Sequence, residues 1–282
     1  MGTRFEIVID ADDVTHARAA SDASIDVIRE WHDALSVFEP SSLVSFLNAH
    51  AARRAVSVDL ETLELFRTAQ RVSAASDGAF NPAIAPEMQR LHPAAHAYEH
   101  GEAQRVRRRG SMRDIEIDPI ASTIGFRDPQ LAVDFGAIGK GHALACVRDQ
   151  LRSDGIESAF IQGGTSSAVA FGTRTARIVL PDTSVVTLRD AAFSLSMVDG
   201  PQAGHVLDPR TGDAASAALW CVIVTDCPRQ ADAWSTALLV LGAPPASMDA
   251  TATGFIGQPD GTVNSFGPRV DVRRLASSSL AS

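Results

Sequence analysis

Val133-Asp134-Phe135-Gly136-Ala137-Ile138-Gly139-Lys140-Gly141-His142-Ala143 is the stretch on which the fold turns. Leu131 to Phe135 reads as a strand running into Gly136, and Gly141 to Leu151 carries helical periodicity ended by Gly155, which makes a strand-loop-helix unit. Glycines in such a loop let the backbone approach a ligand, and the helix amides behind them point at anions. Phosphate is the natural guest. The spacing is neither the dinucleotide fingerprint nor a P-loop, so a tight strand-to-helix turn that simply needs glycine remains the other reading.

Toward the N-terminus the chain is helical. Phe5 to Ile9 alternates as a strand, an amphipathic pattern from about Asp13 to Val37 reads as a long helix, and a second helix follows Asp59, with Leu60, Leu63, Phe66, Ala69 and Val72 on one face and Gly78 beyond its end. From His92 to Ile117 the sequence is irregular and basic, including Arg105-Val106-Arg107-Arg108-Arg109, and reads as a solvated connection with a short strand at Asp114 to Ile117. Toward the C-terminus it is rich in sheet. Ser158 to Gln162, Ala176 to Leu180, Val185 to Leu188, Leu219 to Thr225, Thr253 to Ile256 and Val263 to Phe266 are short strand candidates. Pro228 opens a helix over Gln230 to Leu241 that Gly242, Pro244 and Pro245 stop. The end of the chain after about Val272 is rich in Ser and Ala and reads as a frayed tail.

The 282 residues carry a net charge of -9, with 45% hydrophobic residues, enough for a sizeable core in one large domain or two intimately packed halves. That charge argues against a nucleic-acid partner, because a phosphate backbone would be repelled. Small anions remain open where backbone or metal supplies the positive charge. Cys146, Cys221 and Cys227 lack CxxC spacing and read as small buried hydrophobes. No 18-residue apolar run exists, and the start, MGTRFEIVID, has neither part of a signal peptide. The expectation is a cytoplasmic chain, or an exported one if an upstream segment was removed.

Other groups of residues could carry chemistry. Gly163-Gly164 marks close backbone approach or a bend in a strand. His205-Val206-Leu207-Asp208-Pro209-Arg210-Thr211-Gly212 reads as a short extended segment followed by a turn, with a histidine that is either structural or functional. Asp232 and Thr236 lie four apart on the predicted helix with Ser235 beside them, so two hard oxygens share a face. Such oxygens suit magnesium, although an Asp in a first helical turn also complements the helix dipole.

Taken in order, these segments resemble the FAD:protein FMN transferases first described as thiamine-biosynthesis lipoproteins. The resemblance runs from Met1-Gly2-Thr3 through Phe38 to Ser42 with Asn48, Asp77 to Pro82, Val133 to Ala143, Gly163-Gly164 and His205 to Gly212, and on to Ala231 to Gly242. It implies that Met1, Phe38, Ala79, Phe80, Asn81, Asp134, Lys140 and Val206 line an FAD site. It further implies that the Ala137 carbonyl, Asp232 and Thr236 hold Mg2+, with Ser235 where some members carry a further acidic ligand, and it places His205 beside the diphosphate as a candidate base. Several residues depart from the family pattern. Asn81 replaces an Asp, Phe38 a Tyr, Thr165 an acidic or amide residue, and Ser194-Leu195-Ser196-Met197 a Thr-Ser-Gly.

The implied fold is α/β (α+β), T-fold-like: one domain over 1–272 with a mixed, largely antiparallel sheet flanked by helices, then a tail over 273–282. The implied activity is magnesium-dependent transfer of FMN from FAD to a Ser or Thr hydroxyl of an acceptor flavoprotein, with AMP leaving. An FAD diphosphatase and a non-catalytic flavin-binding protein are the rival readings. The site is expected in a cleft between the helical first part and the sheet-rich second.

Overall fold

Pro228–Leu241 (α5) is buried on nearly every side, its polar Arg229, Asp232 and Ser235 included, so it lies inside the protein. In the computed structural model, which describes residues 3–84, 110–198, 206–268 and 271–274, α5 lies against a large sheet, flanked by Gly139–Ser153 (α4) and Leu60–Ala75 (α3). Pro228 opens α5, and Gly242, at φ 73°, closes it by donating its N–H to Leu238 O at 2.8 Å. Val14–Ala34 (α1) is started by Asp13, whose carboxylate accepts from the amides of Thr15 and His16, and it packs on α4. It stops short of the expected Val37.

The sheet is antiparallel at every described pairing. Its order is Phe5–Ile9 (β1), Ala159–Gly163 (β5), Ser167–Val179 (β6), Ser184–Met197 (β7), Trp220–Thr225 (β8), Thr253–Gly257 (β9) and Val263–Phe266 (β10), with Val272–Arg274 (β11) on the far part of β7. A small second sheet joins Val56–Ser57 (β2), Thr123–Phe126 (β4) and Ile115–Asp118 (β3). This is the α/β architecture expected from the resemblance. β11 carries the paired chain to Arg274, past the expected boundary at 272.

The sheet buries both faces. Ile161, Val169, Ala192, Cys221, Ile223 and Ile256 belong to the core shared with the helices. Ala168, Ala170, Phe193, Trp220, Val222 and Phe255 face the other way, where Val186 and Leu188 from the far half of β7 and Leu180 from the turn before it cover them. The strands expected at Ala176 to Leu180 and Val185 to Leu188 are therefore continuations of β6 and β7, bent where the register shifts between Ala170 and Thr175.

Two expectations change. Leu131 to Phe135 is mostly buried but pairs with no strand among the described residues. Its backbone is held by a side chain instead, since Asn48 donates to Val133 O at 3.0 Å and accepts from Val133 N–H at 2.8 Å, while Asp134 N–H donates to Pro82 O. Asn48 sits on Leu43–His50 (α2), a helix capped by Ser42 that was not expected because its 8 residues are too few to establish periodicity. The paired glycines serve the edge of the sheet. A Cβ on Gly163 would lie 2.9 Å from the Phe5 ring, and one on Gly164, at φ 65°, would lie 2.4 Å from Thr3 Oγ1.

Candidate active site

Helices α4 and α5 meet at their first turns, and the contact between them is a peptide against a carboxylate. Asp232, only 4% exposed, accepts the Gly141 N–H on Oδ2 at 2.8 Å. On Oδ1 it accepts the hydroxyls of Ser194 at 2.8 Å and Ser167 at 3.3 Å. Glycine is required at 141, because a Cβ there would lie 2.3 Å from Pro228 O and 2.6 Å from Asp232 Cβ. The close approach of backbone read from the sequence is thus partly an approach of helix to helix.

A cavity of about 750 Å³ opens beside this contact, a size within the range of small-molecule sites. Its walls bring together Ala79, Phe80 and Asn81 after α3, Asp134, Ala137 and Lys140 at the start of α4, Val206, and Asp232 and Thr236 on α5. The cavity thus lies between the helical first part and the sheet-rich second. Other candidates lie elsewhere. Phe38 is 44% exposed and is not part of this wall. Ser235 is fully buried behind it, its hydroxyl bonded to Ser194, Ser196 and the Asp232 carbonyl oxygen. Met1 and His205 lie outside the described residues, as does the whole basic run Arg105 to Arg109.

The departures from the family pattern have local uses. Asn81 donates to Gly110 O at 2.9 Å and accepts from the Ala83 N–H at 3.1 Å, so it closes the turn as donor and acceptor, which a carboxylate could not do. Asp134 caps the glycine-rich turn by accepting from Gly136 N–H at 2.8 Å. Asp208-Pro209-Arg210-Thr211-Gly212 is the expected turn, with Asp208 holding the Arg210 guanidinium at 2.9 and 2.7 Å. Ser166, Leu195, Ser196, Met197 and Leu207 also line the cavity and were not candidates. Ser194 and Ser196 alternate along β7, a period-two signal that places both hydroxyls on one face.

The arrangement suits a hard cation next to an anion. An ionised carboxylate offers about four acceptor positions. Gly141, Ser194 and Ser167 engage Asp232 from the protein side, which leaves it coordinating capacity on the cavity side. Thr236 and Ala137 share that wall, so a carboxylate, a hydroxyl and a backbone carbonyl are at hand, ligand types that magnesium accepts. Among the described residues no group of three or more His, Cys, Asp or Glu could hold a metal, so a zinc-type cluster is not what these residues build. Ile138 begins α4 with no side-chain cap, and Lys140 places an ammonium in the same wall. Both favour a bound phosphate.

Behind the helix pair sits a buried polar cluster that sequence gave no sign of. Arg229, 8% exposed, donates through Nε to His142 Nδ1 at 2.8 Å and pairs through Nη2 with Glu61, while Trp31 meets the imidazole edge to face at 4.1 Å. Burial first, and the Arg229 charge second, hold the His142 pKa well below its ordinary value. Burial pushes the Cys146 thiol up to about 12, so it stays protonated. The unfolded chain takes up a proton at its histidine near pH ~6.5 while folded His142 stays neutral, so His142 costs no stability above that pH and an increasing amount below it. We expect stability to fall with a slope of up to about 1.4 kcal/mol per pH unit from this group as the pH drops below ~6.5. His142→Gln, which keeps an acceptor for Arg229, should flatten that part of a melting-temperature profile. Identical profiles for parent and variant would remove His142 as the cause.

Comparison with known proteins gives the same direction throughout. The family model described as ApbE family matches residues 1–253. The chain is 27% identical over 244 residues to an FAD:protein FMN transferase of Klebsiella pneumoniae (strain 342), covering 81% of this chain and 77% of that protein. It is 26% identical over 239 residues to one of Vibrio cholerae serotype O1, covering 77% and 71%. Among solved structures, the flavin transferase ApbE of Vibrio cholerae superposes with a TM-score of 0.79 at 22% identity over 94% of both chains. The flavinyl transferase ApbE of Pseudomonas stutzeri, in its apo form, does so with 0.79 at 21% identity over 94% and 92%. These structural matches speak for the fold.

Proposed function

The chain belongs to the ApbE family, and from that premise we propose that it transfers the FMN part of FAD to a Ser or Thr hydroxyl of an acceptor protein, with AMP as the leaving group. One observation carries this reading: Lys140 and the Gly136-Ala137 turn before α4 line the same 750 Å³ cavity as Asp232 and Thr236. A diphosphate is the proposed guest between them. The enzyme names of the relatives in Klebsiella and Vibrio support the same chemistry.

In the transfer the acceptor oxygen forms a bond to the FMN phosphorus, the bond from that phosphorus to the bridging oxygen breaks, and AMP departs with that oxygen. Lys140 and the positive end of the α4 dipole oppose the phosphate charge. Phe80, Leu195, Met197 and Val206 supply an apolar wall that excludes water and takes an aromatic ring system. Asp232, Thr236 and the Ala137 carbonyl are the proposed magnesium ligands, and the ion would neutralise charge on the diphosphate oxygens as it develops. His205 remains the proposed recipient of the hydroxyl proton, on the strength of its place in the sequence beside Val206. The acceptor is a protein with an exposed flavinylation site. Nucleic acid is not a proposed partner, given the net charge of -9.

Incubating the protein with FAD and magnesium, with and without a flavinylation-competent acceptor domain, and separating the products tests this. We expect AMP to appear in step with covalent flavin on the acceptor. AMP and free FMN regardless of acceptor would identify a diphosphatase, and intact FAD with no product would identify a binding protein.

A further inference from the structure

The hydroxyls around Asp232 form a chain whose proton directions can be counted. Ser194 Oγ must donate to the Asp232 carboxylate at 2.8 Å, which uses its only proton. Ser235 Oγ then donates either to the Asp232 carbonyl oxygen at 2.9 Å or to Ser194 at 3.1 Å. With that proton committed, the 2.8 Å contact between Ser196 and Ser235 requires Ser196 to donate. Ser196 has no second proton, so its 3.2 Å contact with Thr236 Oγ1 requires Thr236 to donate. The reverse order would give up the 2.9 Å bond for the 3.5 Å one between Thr236 and the Asp232 carbonyl oxygen, a poorer set. In the order that keeps the shorter bonds, the Thr236 proton points into the protein.

A hydroxyl whose proton is turned inward presents only lone pairs to the other side, and Thr236 lines the cavity. We propose that Ser196 is a positioning residue: by accepting the Thr236 proton it turns the Thr236 lone pairs into the cavity, where they face a divalent cation. Ser235 relays the arrangement to Asp232. The proposal rests on the magnesium reading above and assigns the two serines a role behind the ligands. Hydrogen bonds that orient a ligand typically change metal affinity about 10- to 100-fold.

The test is a calorimetric titration of magnesium chloride into the FAD-loaded protein, with melting temperature recorded on the same samples. Ser196→Ala should weaken magnesium binding about 10- to 100-fold while the metal-free melting temperature stays close to the parent's. Ser196→Thr, which keeps an acceptor oxygen, should restore most of it. In a Thr236→Val background Ser196→Ala should have no further effect, because the oxygen it orients is gone, whereas a merely structural role would add to the loss. Parental magnesium affinity in Ser196→Ala, or additivity in the double variant, would overturn the proposal. A parent that transfers flavin with Ser196→Ala indifferent would sink the serine assignment alone, and a parent that neither binds magnesium nor transfers flavin would sink both readings.

Discussion

Asp232→Ala should reduce magnesium-dependent flavin transfer by about three orders of magnitude or more while the protein still folds. Asp232 is the carboxylate on the cavity wall that Gly141, Ser194 and Ser167 all hold in place. Magnesium is commonly held by one or two carboxylates, and a metal stabilises developing charge by several kcal/mol, so losing about 4 kcal/mol corresponds to about a thousandfold. The same substitution leaves the Gly141 N–H and the Ser194 hydroxyl without their acceptor, at about 1–3 kcal/mol, so melting should occur earlier. Asp232→Asn separates the effects, since it keeps the volume and an acceptor oxygen but not the charge. It should be nearly as inactive and more stable than Asp232→Ala. Activity equal to the parent at saturating magnesium would take Asp232 out of the metal site.

Gly141→Ala should damage stability and turnover together. Its methyl group would lie 2.3 Å from the Pro228 carbonyl oxygen and 2.6 Å from Asp232 Cβ, and the first of these is backbone that cannot rotate away. The first turns of α4 and α5 must separate to admit it. Overpacking of that kind costs about 1–3 kcal/mol. Because the Gly141 N–H also holds Asp232, the carboxylate moves with the helices, and a displacement of about 1 Å at a reacting centre can cost about a hundredfold in rate. Gly139→Ala is the control two residues away. Its Cβ would meet only Leu35 Cδ1 at 3.5 Å, ordinary contact, so it should be neutral or slightly stabilising. A Gly141→Ala protein with parental melting and parental turnover would show that the helix contact does not set the geometry of the site.

The parts of this protein legible in sequence are those governed by local rules. Pro228 and Gly242 bracket α5, Asp13 and Asp59 start their helices, and the turn after Leu207 follows from its Asp-Pro-Arg-Thr-Gly. What was not legible depends on partners far along the chain. Val133 was expected in a strand because its neighbours are apolar, yet its backbone bonds go to Asn48, 85 residues away, and no local pattern announces that exchange. Arg229, His142 and Glu61 are unremarkable on three separate helices until packing brings them together. The site divides similarly. The resemblance named Asp232 and Thr236, but Ser194 and Ser196 looked like departures from a motif, and only the sheet register that lays β7 beside α5 shows what their hydroxyls touch.

Intact-mass analysis of an acceptor protein after incubation with this chain, FAD and magnesium tests the central claim most directly. The account predicts a gain of one FMN on a single Ser or Thr, lost when that hydroxyl is removed or when Asp232→Ala replaces the parent chain. An acceptor whose mass never changes, while the parent chain binds FAD and magnesium beside it, would contradict it.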